Sequence, residues 1–174
     1  ELRPPGALPF DYVAELSRQY PELEFERPND EVVYRVKGLT GPIILKRALQ
    51  HFASKGALDI DTLGEKNVEA LVDAGLVQDL ADIYSLQKSQ LLKLDRFADL
   101  SAEKLISAIA NAKNPSLERF IFGLGIRHVG IQTAIDLANR FMSLERLSVA
   151  TIDELRSVDG VGGVVAESIV AWFA

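Results

Sequence analysis

The residues best placed to do chemistry in this chain are small ones. Leu63–Gly64–Glu65, Phe97–Ala98–Asp99, Val129–Gly130–Ile131 and Val161–Gly162–Gly163 form a series whose central residues stand 34, 32 and 32 positions apart. A near-fixed period of this size marks a repeated supersecondary unit, here helix–turn–helix. In the last copy, Leu155 and Val158 lie on a first helix, Gly160–Val161–Gly162 makes a tight turn, and Ala166 lies on a second helix. Gly160 and Gly162 leave the turn bare and permit backbone angles unfavourable to other residues. A bare turn at a helix N-terminus presents consecutive N–H groups at the positive end of the helix dipole. That arrangement can cradle a phosphate. Val161 is expected to point inward and pin the turn, and Ala166 to let the two helices approach closely.

The other copies keep this frame and drift in detail. The third has Ile126, Arg127, His128, Val129, Gly130 and Ala134; the first has Ile60, Thr62, Leu63, Gly64 and Val68, followed by Lys66. The second has Leu94, Arg96, Phe97, Ala98 and Ala102, so both glycine places are lost. The expected anion contacts are therefore Gly160, Gly162 and Gly163 in the fourth copy, with Arg127, His128 and Gly130 in the third. Thr62, Gly64 and Lys66 serve in the first. Arg96 adds a side-chain contact to a second copy that is otherwise structural. The plain alternative is a set of tight helix connections with no ligand.

Other chemistry is excluded early. The chain has no cysteine, which removes disulfides, thiolate catalysis and cysteine-based zinc sites together. Two histidines, His51 and His128, are too few for a histidine metal cluster. His51 sits between Leu49 and Phe52 in an apolar helical pattern and is read as packing or capping. Asp59 and Asp61 flank Ile60 and are read as turn residues, with no metal role. The formal charge of −6 argues against a strongly basic nucleic-acid binder, yet main-chain amides need no net side-chain charge. A content of 48% hydrophobic and 25% charged residues describes a globular chain. No apolar run reaches the roughly 18 residues that span a bilayer, and no secretory leader is evident.

The elements that must position these turns follow from periodicity and caps. Residues 1–9 are rich in Pro and Gly and read as a linker. Residues 10–20 carry Phe10, Val13, Leu16 and Tyr20 at helical spacing. Alternation over 23–26 and 31–37 predicts two strands, turned by Pro28–Asn29–Asp30. Packing of Phe10, Tyr12, Leu16, Phe25, Val33 and Tyr34 is expected to hold this part. From Pro42 the pattern is helical: a helix to about Phe52, then helices near 65–74, 79–84, 88–94, 99–112, 115–123, 131–141, 143–148, 151–156 and 163–173. Asp79, Ser89, Ser101, Ser116, Ser143 and Thr151 are residues of the type that starts helices. Thr151 and Glu154 have capping-box spacing, and Gly75 is a stop. Leu117, Phe120, Ile121 and Leu124 read as core, and Trp172 and Phe173 as closing the last unit. The predicted fold is mainly α. Four tandem helix–turn–helix units over 42–174, similar to helix-hairpin-helix units of the SAM/RuvA-domain-2-like kind, follow a small α/β segment over 10–41.

The repeated turn resembles the helix-hairpin-helix motif of DNA-binding proteins that do not read sequence. Three stretches go further and resemble bacterial NAD-dependent DNA ligases: HisPheAlaSerLysGlyAlaLeuAspIleAspThrLeuGlyGluLys (51–66), PheGlyLeuGlyIleArgHisValGly (122–130) and AspGlyValGlyGlyValValAlaGluSerIle (159–169). ArgProProGlyAla (3–7) is similar, more weakly, to the link after that family's oligonucleotide-binding barrel. The family would place a four-cysteine zinc module next; here Gly41, and Arg35 or Val36, stand where two of those cysteines belong. Residues 10–41 are then a metal-free substitute. Its apolar, strand-like pattern favours natural loss over engineered replacement.

The resemblance implies a portion that grips nicked duplex DNA across the minor groove in a bacterial, cytoplasmic, monomeric enzyme of replication and repair. The family's catalytic lysine lies in Lys–x–Asp–Gly, but Ser157 stands in that place before Asp159–Gly160. Catalysis, with NAD and Mg, is expected in the parent and not in this portion. Its partners would be the adenylation and oligonucleotide-binding domains of the same chain, and a further partner-binding domain would follow Ala174. The rival readings are a helix-hairpin-helix module of another repair protein, such as an excision nuclease subunit or a branch-migration factor, and a protein-interaction helical bundle.

Overall fold

Caps and apolar spacing set the elements, as the first helix illustrates. Asp11 precedes it and its carboxylate accepts the Ala14 N–H at 3.0 Å, so that α1 runs Tyr12–Gln19. The computed structural model describes residues 11–21, 24–26, 35–37 and 41–174. It divides into two units, Glu1–Ile44 and Leu45–Ala174. In the first unit, β1 (Glu24–Glu26) pairs antiparallel with β2 (Arg35–Lys37), Phe25 opposite Val36. The Tyr20 and Phe25 rings lie 6.5 Å apart. No residue of α1 is buried, and Tyr12, expected in the packing, is exposed. Val13, Leu16 and Ser17 form the half-buried stripe of α1, and Tyr12, one residue before Val13, lies about 100° round the helix from it. The expectations for residues 1–9, for the turn at Pro28–Asp30, and for Phe10, Val33 and Tyr34 lie outside the described residues.

The chain is helical from Pro42. The helices are α2 (Pro42–Ala53), α3 (Glu65–Asp73), α4 (Lys88–Leu91), α5 (Asp99–Asn111), α6 (Leu117–Gly123), α7 (Ile131–Phe141), α8 (Leu144–Ser148), α9 (Ile152–Arg156) and α10 (Gly163–Phe173). The expected helix at 79–84 is a 3-10 helix over Leu80–Ser85. It is started by Asp79, which accepts from Ala81 N–H. Gly75 stops α3 at φ +67°. The Thr151–Glu154 capping box forms: Glu154 accepts the Thr151 N–H at 2.8 Å, and the Thr151 hydroxyl accepts the Glu154 N–H at 3.3 Å. Ser89 and Ser101 do not start helices. Gln87 precedes α4, and Ser101 works from inside α5, where its hydroxyl oxygen accepts the Ala98 N–H at 2.9 Å.

Two buried clusters organise the second unit. The first includes Leu49, Phe52, Leu71, Ile83, Leu91 and Leu105 and gathers the elements around the first two turns. The second includes Ile121, Leu137, Leu147, Leu155 and Ile169 and gathers those around the last two. Each such side chain contributes about 1.5–3 kcal/mol through removal from water. Phe122, on α6, packs against both clusters. Phe173 packs on the second cluster, whereas Trp172, expected inside, is partly exposed and meets Phe173 edge to face. Among the described residues no helix is long and apolar enough to cross a membrane.

Candidate functional site

From the inward residue onward the four turns share one backbone. Gly64, Ala98, Gly130 and Gly162 each cap the following helix with φ/ψ of −81°/176°, −93°/171°, −86°/−178° and −82°/176°. The residue before each cap turns inward: Leu63, Phe97, Val129 and Val161 are all buried. Their N–H groups donate to the carbonyls of Ile60, Leu94, Ile126 and Val158 at 3.2, 3.0, 3.0 and 3.1 Å. The first α-helical bond then runs to the cap carbonyl from Val68, Ala102, Ala134 and Ala166, at 3.0, 2.9, 2.9 and 3.0 Å. Those four residues are fully buried where the helices meet. The cap residues themselves, and Thr62, Arg96, His128 and Gly160 two places earlier, are exposed. A buried pin between two exposed positions therefore carries each tip.

Differences in side chains separate the copies. Thr62, His128 and Gly160 adopt the left-handed conformation, with φ of 68°, 65° and 73°; Arg96 does not. Among the described residues, no side chain caps Gly64, Gly130 or Gly162. In the second copy the Ala98 N–H is already taken by Ser101. The first helical residue is Glu65 in copy one and Asp99 in copy two, but Ile131 and Gly163 in copies three and four. A carboxylate at that position occupies the positive end of the helix dipole and opposes an incoming anion. Asp99 is also held by Lys88, whose ammonium lies 3.0 Å from it and 3.2 Å from Glu103.

The hollows beside the tips follow the same division. An open hollow of about 590 Å3 at the fourth tip is lined by Arg156, Ser157, Asp159, Gly160 and Gly162 among others. One of about 500 Å3 at the first tip holds Asp59, Asp61 and Glu65 and no basic residue. Asp59 and Asp61 are turn residues there: Asp59 has φ 53°, and Asp61 accepts the Thr62 N–H at 2.9 Å. Lys66, Arg127 and Gly163 are exposed at their tips. Spacing did not single out Arg156, the last residue of α9. The available signal was composition, because no lysine follows Lys113 and arginine alone supplies the permanent positive charge beyond it.

The glycines at the caps are not demanded by the fold. Their φ values are ordinary, and a Cβ added at Gly64, Gly130 or Gly162 would meet nothing within 4 Å. Ala98 already carries a side chain in the same conformation.

A family model described as a helix-hairpin-helix motif matches residues 119–174, which contain the third and fourth turns. The chain is also similar to the DNA ligases of Bacillus thuringiensis (strain Al Hakam) and Bacillus cereus (strain AH820). It is 44% identical to each over 152 residues, covering 87% of this chain and 23% of each relative. The chain thus spans about a quarter of the length of these relatives.

Proposed function

We propose that this chain is the part of a bacterial DNA ligase that holds duplex DNA by its sugar-phosphate backbone without reading bases. The observation that carries this reading is the bareness of the tips. Neither backbone angle nor internal space requires glycine at positions 64, 130 and 162. What a side chain there would obstruct is therefore something arriving from outside. The tips present amides at the positive end of a helix, which suits a phosphate. Gly160, Gly162, Gly163 and Gly130 supply the main-chain contacts, with Arg127 and His128 beside them. At the more acidic first and second tips, Thr62 and Gly64 contribute less. There Lys66 and Arg96 reach phosphates through their side chains.

On this reading the substrate is a nicked duplex, and the chain works with the adenylation and oligonucleotide-binding domains of its parent. That parent is a cytoplasmic monomer that draws AMP from NAD, with Mg, to seal breaks left by replication and repair. The hairpins supply grip and position and no catalytic group. Among the described residues no three His, Asp or Glu side chains converge as a metal site.

Binding of a fluorescent nicked duplex, followed by anisotropy against salt, tests the reading. Affinity is expected to fall steeply with salt, by about 0.9 in log–log slope per phosphate neutralised. Gly162→Ala adds a methyl group that the fold tolerates but that stands where the phosphate would approach, and is expected to weaken binding by a few-fold with an unchanged melt. Gly162→Asp puts a carboxylate beside the amides and is expected to lose about tenfold or more in affinity with an unchanged melt. Full binding by the Asp variant would remove the fourth tip from the interface. No binding by wild type at low salt would favour a protein-interaction bundle instead.

A further inference from the structure

Arg119 is a cation in the part of the chain that carries the third and fourth tips, yet it does not reach outward. It sits on α6 and is half-buried. Its Nε donates to the Ala57 carbonyl at 2.6 Å, and a terminal nitrogen donates to the Lys55 carbonyl at 2.8 Å. Both carbonyls belong to the link between α2 and the first tip. Within that link the backbone N–H groups go elsewhere: Leu58 to Phe52, Ile60 to Ala53, and Ala57 and Asp59 to Ser54. The planar guanidinium fork fits two neighbouring carbonyls in a way that a lysine point charge cannot.

Further contacts lie along the same seam. His51 Nε2 lies 2.7 Å from the Phe122 carbonyl; a carbonyl only accepts, so this nitrogen carries the proton. The two rings meet edge to face at 4.6 Å, and Phe52 meets Phe120 at 6.2 Å. Gly123 is so enclosed that a Cβ would stand 2.9 Å from Leu58 Cδ1 and 3.3 Å from the Ala57 Cβ and from Phe52 Cδ2. A Cβ on Gly56 would stand 3.2 Å from the Phe122 ring. The seam joins the segment that leads into the first tip to the helix that leads into the third.

We propose that Arg119 is a positioning residue that fixes the first pair of tips relative to the second, so that both engage one duplex at the same time. The inference rests on the DNA-holding function proposed above. Without the seam each half would still fold around its own core, but the phosphates would no longer be met as one set.

Two variants separate this from a direct phosphate contact by Arg119. Arg119→Lys keeps the charge and loses the fork; Gly56→Leu changes no charge and wedges bulk against Phe122. The chain has no cysteine, so Glu69→Cys on α3 and Asn139→Cys on α7, both exposed, accept spin labels at two defined points. Electron–electron dipolar spectroscopy is expected to give one narrow distance in the otherwise unchanged chain and a broadened distribution in either variant. The salt slope for duplex binding is expected to fall by roughly one to three phosphates' worth at about 0.9 each. An unchanged narrow distance in both variants, or a broad one in the parent background, would overturn the inference. A background protein that binds no duplex would instead overturn the functional reading, and the distances alone would then decide the coupling.

Discussion

Single positions in the four tips show which residues the backbone demands and which it merely tolerates. Gly160 at φ +73° takes the left-handed shape with the residue that adopts it at least cost, and this was legible from the Gly–Val–Gly pattern. Thr62 and His128 take the same left-handed shape without being glycine, and no residue type announced that; the repeat spacing alone pointed to them. Thr62 is the more strained, because it is β-branched. It is held by the Asn67 amide, which donates to its carbonyl at 2.7 Å. Thr62→Gly is expected to relieve roughly 1 kcal/mol of this strain, partly offset by the greater freedom of glycine in the unfolded chain. A rise of the thermal midpoint by about 1 °C would agree, and a fall would show that the side chain does more than tolerate its place. The residues named from spacing as anion contacts lie at exposed tips, but the structural differences between the tips were only partly legible. The repeat frame flagged the second copy as structural, whereas the engagement of the Ala98 N–H by Ser101 required the folded geometry.

Helices were readable wherever a cap met a spaced apolar face. Thr151 and Glu154 specify the start of α9 on their own. The Glu154 carboxyl is held below its ordinary pKa chiefly by the Thr151 N–H and then by the Thr151 hydroxyl. The folded state therefore holds that proton more weakly than the unfolded chain does. The resulting stabilisation is complete above the usual carboxylate pKa of about 4.3 and fades as pH falls through the folded value. The stability difference between wild type and Glu154→Gln, from denaturant midpoints, is expected to be present at neutrality and to shrink on acidification; a difference independent of pH would count against the capping role. The helix at 80–85 came out 3-10 because Asp82 turns back to accept the Gln78 and Asp79 N–H groups at 2.8 and 3.0 Å, tightening a short turn. Serines misled at 89 and 101, where residue type alone says little about which side of the boundary a hydroxyl will serve.

Across the whole molecule, the least legible feature is how the two cores meet. The seam joins residues 62 to 71 positions apart, such as Arg119 with Ala57 and His51 with Phe122, and no local pattern encodes it. Gly123 shows its force. In an exposed helix, replacing Gly by Ala gains about 1 kcal/mol. Here Gly123→Ala would press on Leu58, Ala57 and Phe52, so the expected sign reverses, to a loss of about 1–3 kcal/mol by overpacking. Denaturant unfolding measures it, and a gain would mean that the cores are not pressed together there. The net charge of −6, which weighed against DNA in the sequence, is unevenly placed: residues 1–44 hold eight acidic and five basic side chains, half of the excess. The unit that carries the tips is therefore closer to neutral than the chain as a whole. The near-identity of the four turn backbones has an engineering corollary. Segments 63–68, 97–102, 129–134 and 161–166 are interchangeable cassettes, each plugged in at both ends by a buried apolar residue, so the side chains of one tip can be transplanted to another without redrawing the frame that holds it.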